Sequence, residues 1–104
     1  MVKITKIAKI NFRNSNQVFG IKEKDRAGHI YCIGKTGAGK STLLLNMAIS
    51  DINAGNGLSI IDPHGDLSEA ILDYIPKERI KDVIYFSGCD SSYPIALNPL
   101  HTIK

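Results

Sequence analysis

The sequence has few cysteines, no apolar run of membrane length and little net charge. Its two cysteines, Cys32 and Cys89, are too few for a disulfide framework or a zinc site, and a reducing, cytoplasmic setting is expected. No apolar run approaches the roughly 20 residues that cross a bilayer, and the first 30 residues hold no signal-peptide core. The formal net charge of +3 is a weak bias toward anionic partners and indicates no nucleic-acid surface by itself.

The chain is nevertheless rich enough in apolar residues to fold. Of its 104 residues, 43% are hydrophobic and 22% are charged, which is ordinary for a globular protein and excludes a disordered tail. The length allows one domain or less, with a modest core. No internal repeat or low-complexity segment is present.

The order of apolar segments predicts an α/β architecture. A strand signal is weak before residue 13, a turn is expected at residues 14–16, and residues 22–28 read as a loop or hairpin connection. Beyond them, strands and helices alternate, which predicts a parallel sheet with flanking helices. The predicted strands are residues 18–21, 30–33, 58–62 and 83–86, and the predicted helices are residues 41–54 and 67–74.

The strongest motif is a glycine-rich loop between a predicted strand and a predicted helix. Residues 34–41 match the pattern G-x-x-x-x-G-K-[ST], in which glycines let backbone N–H groups converge on phosphates. Lys40 would place its charge between the β- and γ-phosphates, and the Ser41 hydroxyl would ligate magnesium. Thr42 would lie near the α-phosphate or cap the helix. The predicted nucleotide-binding residues are Gly34, Lys35, Thr36, Gly37, Ala38, Gly39, Lys40, Ser41 and Thr42.

A second polar segment follows the next predicted strand. Asp62 could hold magnesium opposite the loop, although a structural or site-adjacent role is preferred, and His64 could approach a γ-phosphate or bond local backbone. Asp66 is expected to cap the next helix. Arg26 and Arg79 could reach a neighbour's nucleotide, but exposed arginine is the simpler interpretation.

Three blocks of this sequence together resemble the conjugative coupling-type DNA-transfer ATPases of the FtsK/HerA group. They are residues 29–45, which contain the loop, residues 61–67, which read Ile-Asp-Pro-His-Gly-Asp-Leu, and Asn-Pro-Leu at residues 98–100. The resemblance implies a partial RecA-like fold, ATP and Mg²⁺ as cofactors, and a hexameric ring that moves DNA. It further implies a membrane secretion channel, reached through an anchor that would precede Met1.

The resemblance also shows what the sequence does not contain. No later apolar strand ends in Asp-Glu to supply a magnesium carboxylate and a water-activating base, so the catalytic residues are unknown. We therefore expect residues 1–28 to be a β segment leading into an incomplete ATPase domain at residues 29–104. The alternatives are a non-hydrolysing regulatory module that joins a full-length ring and, less favoured, a small kinase-type enzyme that uses Asp62 for metal.

Overall fold

A β-hairpin forms the N-terminal part of the protein, seen in a computed structural model that describes residues 3–88 and 91–92. Its strands are β1 (Ile4–Lys9) and β2 (Val18–Lys22), which pair antiparallel with a bulge between residues 6 and 8. Arg13 and Asn14 turn the chain with positive φ angles of 48° and 60°, as a two-residue hairpin turn of type I′ requires. The predicted strands of this region are confirmed, and the turn lies one residue earlier than expected.

Helices occupy most of the remaining regular structure. They are α1 (Glu23–Arg26), α2 (Lys40–Asn53), α3 (Asp66–Leu72) and a 3₁₀ helix (Lys77–Asp82). The two longer helices confirm the periodicity in the sequence to within two residues at each end, whereas α1 lies where a loop was predicted. Within the described ranges, no helix is long and apolar enough to cross a membrane.

The core is small and lies at the C-terminal half of α2. Ala48 and Ile52 of α2 pack with Ile71 of α3, and each of the three is less than 9% exposed. Partly buried apolar residues surround this cluster: Leu45, Ile60, Leu67 and Ile75. Leu44, in the first half of α2, is 44% exposed, so only part of the predicted apolar face is covered.

Arg26 joins the hairpin region to α2 through a bidentate ion pair. Its two terminal nitrogens lie 2.6 and 2.7 Å from the two carboxylate oxygens of Asp51, and one of them also donates to Oγ1 of Thr5 at 2.8 Å. Asn56 donates to the same carboxylate at 3.3 Å. Asp51 is only 6% exposed, and the guanidinium holds the pKa of its carboxyl below the ordinary value. This network fixes the hairpin against the last turns of α2.

Arg79 joins the 3₁₀ helix to the same end of α2. Its guanidinium donates to the carbonyl oxygen of Ile52 at 2.8 Å and to that of Asn56 at 3.1 Å. The last carbonyls of a helix lack N–H donors inside it, and the Ile52 carbonyl accepts both from this arginine and, at 3.1 Å, from the N–H of Gly55. Both Arg26 and Arg79 are partly buried and engaged within the chain, so the interpretation of them as exposed arginines is wrong.

The predicted partial RecA-like fold with a parallel sheet is wrong for the residues that the structure describes. Their sheet consists of the antiparallel pair β1–β2, and residues 30–33, 58–62 and 83–86, predicted as strands, join no ladder. Several apolar side chains of these segments stay largely in solvent, with Tyr31 88% and Ile84 94% exposed. Their β-favouring composition is a local property, whereas a ladder needs a neighbouring strand at the right distance. Cys89 and the block at residues 98–100 lie outside the described residues.

Candidate phosphate-binding loop

The predicted phosphate loop connects residue 33 to α2 and turns at two glycines. Gly37 and Gly39 have φ angles of 80° and 92°, in the region that residues with a Cβ rarely adopt. Gly39 is the N-cap residue of α2, so the second of these turns directs the chain into the helix. The glycines of the motif therefore stand where the backbone needs them.

The first turn of α2 presents backbone donors without acceptors from the protein. No side chain caps this helix, and the N–H groups of Lys40, Ser41 and Thr42 make no hydrogen bond within the described residues. Leu43 is the first residue of the helix whose N–H is bonded, at 3.0 Å to the carbonyl of Gly39. The predicted capping role of Thr42 is therefore not observed. Free N–H groups and the positive end of the helix dipole together suit an anion.

The Lys40 side chain folds back over the loop. Its ammonium donates to the carbonyl oxygen of Gly34 and, at 3.0 Å, to that of Lys35. A Cβ built on Gly34 would lie 3.2 Å from the Cβ of Ala38, so the loop is closely packed at its first glycine. The positive charge thus sits above the same loop that supplies the free N–H groups. The side chains of Lys35, Thr36 and Ala38 are exposed around it.

The next helix, α3, begins in a contrasting way. One carboxylate oxygen of Asp62 accepts hydrogen bonds from the N–H groups of Leu67 at 2.8 Å and Ser68 at 3.1 Å, and the other accepts from His64 at 3.1 Å. These backbone donors, that of Ser68 first, lower the pKa of the Asp62 carboxyl. The Asp62 carboxylate thus places a negative charge at the start of α3. The start of α2 has no such carboxylate among the described residues.

These hydrogen bonds bear on the predicted roles of the Asp62 segment. Asp62 has a structural role, because both of its carboxylate oxygens accept hydrogen bonds from backbone, and its place beside a nucleotide stays a prediction. The expected cap at Asp66 is wrong, because Gly65 holds the N-cap position with φ 88° and no side chain of its own. The His64 side chain is exposed, and only its backbone N–H is engaged.

The sequence predicts two possible magnesium ligands, Ser41 and Asp62, and of these Ser41 has a side chain with no other partner in the described structure. The Ser41 hydroxyl is exposed and makes no hydrogen bond in the described part of the chain. Among those residues no group of three or more His, Cys, Asp or Glu side chains is arranged to hold a metal ion. The donors fit a magnesium ion that reaches the protein together with phosphate oxygens, since this ion keeps several waters and needs few protein ligands.

Comparison of the chain with protein-family models, with curated proteins and with solved structures finds no significant match. The candidate site therefore rests on the geometry of residues 34–42 and on the sequence pattern that they carry.

Proposed function

We propose that residues 34–42 bind the phosphates of ATP together with Mg²⁺, and that this chain is the ATP-binding portion of a DNA-transfer ATPase. The observation that carries the binding proposal is the uncapped start of α2, where Lys40, Ser41 and Thr42 offer unbonded backbone N–H groups beside an ammonium. A triphosphate matches these donors in charge and in hydrogen-bonding capacity. Lys40 would exchange two loop carbonyls for phosphate oxygens, and Ser41 would contact the metal.

The larger role rests on the resemblance alone. DNA as partner, a hexameric ring and a membrane secretion channel follow from the three sequence blocks, not from the described geometry. The described residues do not form the sheet of such motors, so the binding proposal depends on the loop and its helix and not on a fold.

We further propose that this chain binds ATP without turning it over. Hydrolysis of a phosphoanhydride needs a group that orients water and a carboxylate that holds the metal. Asp62 is the carboxylate that the sequence offers for this metal role, and its two oxygens accept backbone hydrogen bonds at the start of α3 and just before it. Releasing that carboxylate would leave the N–H groups of Leu67 and Ser68 without their acceptor.

Isothermal titration with ATP and Mg²⁺ tests the binding proposal. The parent chain is expected to bind, and Lys40→Ala to remove detectable binding because it deletes the charge over the loop. Lys77→Ala is the control, since it removes an exposed lysine of the 3₁₀ helix that lies outside residues 34–42. Equal affinity of Lys40→Ala and the parent would overturn the phosphate-loop assignment. Turnover of several ATP per second by the parent would overturn the non-hydrolysing role.

A further inference from the structure

The basic residues of this chain are concentrated in its β-hairpin. Residues 3–22 carry five of the 13 Lys and Arg residues and no Asp or Glu, whereas the rest of the sequence carries eight basic and ten acidic residues. The five side chains are exposed, and none of them forms an ion pair with a carboxylate of the described residues. They are Lys3, Lys6, Lys9, Arg13 and Lys22. The hairpin is therefore a positively charged unit on a chain whose remainder has a small negative net charge.

Three of these lysines share the face of the hairpin that points away from α2. Thr5 is buried and accepts a hydrogen bond from Arg26, the residue that also pairs with Asp51 of α2. The face that carries Thr5 and its cross-strand partner Ile21 therefore lies toward α2. Because side chains alternate along a strand, the neighbouring pairs occupy the opposite face, here called the outer face. Its side chains are those of Ile4, Lys6 and Lys9 of β1 and Val18 and Lys22 of β2.

The same hairpin exposes apolar side chains beside its cations. Ile4 and Val18 of the outer face are 53% and 44% exposed, and Phe12, next to the turn, is 65% exposed. The Arg13 guanidinium lies over the Phe12 ring, so an aromatic ring and a cation stand together at the tip. Surfaces that lie in a membrane interface have this composition, because apolar side chains enter the acyl boundary while long basic side chains reach the headgroup phosphates.

An anionic lipid surface matches the outer face better than a nucleic acid does. A nucleic-acid backbone would neutralise the lysines, but its phosphates offer no apolar surface to Ile4 and Val18. An anionic leaflet attracts the lysines and also provides an apolar boundary for the aliphatic and aromatic side chains.

We propose that the outer face and tip of the β-hairpin dock on a membrane surface rich in anionic lipids. The lysines of the outer face contact the headgroups, and the Phe12 ring enters the interface beside Arg13. The opposite face stays on α2, held by the ion pair between Arg26 and Asp51, so docking needs no change in the fold. The inference concerns residues 3–22 alone, so it depends neither on ATP binding at residues 34–42 nor on an anchor that spans the membrane.

Co-sedimentation with lipid vesicles tests the proposal with the chain itself. The chain is expected to bind vesicles of equal parts phosphatidylcholine and phosphatidylserine at least about tenfold more tightly than vesicles of phosphatidylcholine alone. Lys6→Gln combined with Lys22→Gln should weaken this binding about 25-fold, because each basic residue near an anionic leaflet contributes a factor of about five. Lys77→Gln combined with Lys81→Gln is the matched control, since it removes two exposed lysines of the 3₁₀ helix, outside the hairpin.

Phe12→Ala distinguishes docking on lipid from attraction to any polyanion. The side chain is exposed, so its removal should leave the fold intact and weaken binding to the anionic vesicles about tenfold through lost apolar burial. Equal affinity for the two kinds of vesicle would overturn the proposal, as would equal losses in the hairpin variant and its control. Tighter binding to a duplex DNA oligonucleotide than to the anionic vesicles, with no effect of Phe12→Ala on either, would make the outer face a nucleic-acid surface instead.

Discussion

Removal of the Arg26 guanidinium tests how the hairpin is held to α2. Arg26→Ala would leave the Asp51 carboxylate, in a residue 6% exposed, with only the 3.3 Å hydrogen bond from Asn56. Breaking a fully buried ion pair costs about 3–5 kcal/mol, and the 27% exposure of the Arg26 side chain reduces this. We expect a loss of about 2 kcal/mol in the free energy of unfolding, which for a domain of this size lowers Tm by about 10 °C.

Urea unfolding followed by circular dichroism measures this loss. Arg13→Ala is the matched control, because Arg13 is an exposed arginine whose guanidinium lies over the ring of Phe12, 5.0 Å from its centroid. Its removal should change the free energy of unfolding by about 0.5 kcal/mol. The combination of Arg26→Ala with Asp51→Asn should cost less than the sum of the two single changes, because the second change removes the stranded charge. A cost for Arg26→Ala no larger than that for Arg13→Ala would refute the reasoning.

The pH dependence gives a second arm of the same test. Arg26 holds the pKa of Asp51 below its ordinary value of 3.8 in the folded protein. The ion pair therefore contributes its full stability above about pH 4 and loses it as the pH falls through the folded pKa. The difference in stability between the parent and Arg26→Ala should shrink in that acidic range. A difference that stayed constant down to the acid limit of folding would show that the charge on Asp51 is irrelevant.

Two further predictions concern the helix starts. Asp62→Ala should lower Tm and the helical circular dichroism signal, because α3 loses its cap. Asp66→Ala is the control and should change both quantities little. Equal effects of the two substitutions would contradict the assignment of the cap to Asp62. Since backbone donors lower the pKa of Asp62, its contribution should be present above about pH 4 and disappear as the pH falls through the folded pKa. Gly39→Ala should cost about 1–2 kcal/mol, because φ is 92° there, and should weaken ATP binding in titration; unchanged affinity would show that the turn at Gly39 is not needed.

Local sequence signals predicted the elements that depend on near neighbours. The apolar periodicity around Ala48 and Ile52 indicated α2, and the positive φ of Gly55 just after it agrees with the expected helix end. The hairpin strands were also found. The strands predicted at residues 30–33 and 58–62 failed because β-propensity describes how a residue fits a sheet and does not provide the strand beside it.

The roles of two polar residues depend on contacts that are distant in sequence. An acid such as Asp51, between Ala48 and Ile52 on the apolar side of a helix, signals that a cation must come from elsewhere. Nothing near it in sequence identifies Arg26, 25 positions away, as that cation. The sequence predicts Asp66 as the cap of α3 because it stands where the helix begins, yet the turn through Gly65 lets Asp62 reach the first N–H groups instead.

The two starts of α2 and α3 argue together for the role of the loop. Both helices follow a glycine with positive φ, and neither N-cap residue offers a side chain. In α3 the Asp62 carboxylate accepts hydrogen bonds from the first N–H groups. The protein itself therefore supplies an acceptor at this helix start, and no ligand is needed there. In α2 the equivalent acceptor is missing, and Lys40 adds positive charge where a cap would bring negative charge. An ammonium beside uncapped N–H groups destabilises a helix start, because a positive charge is unfavourable at the positive end of the helix dipole. The proposed binding of the phosphates of ATP would supply an anion from solution.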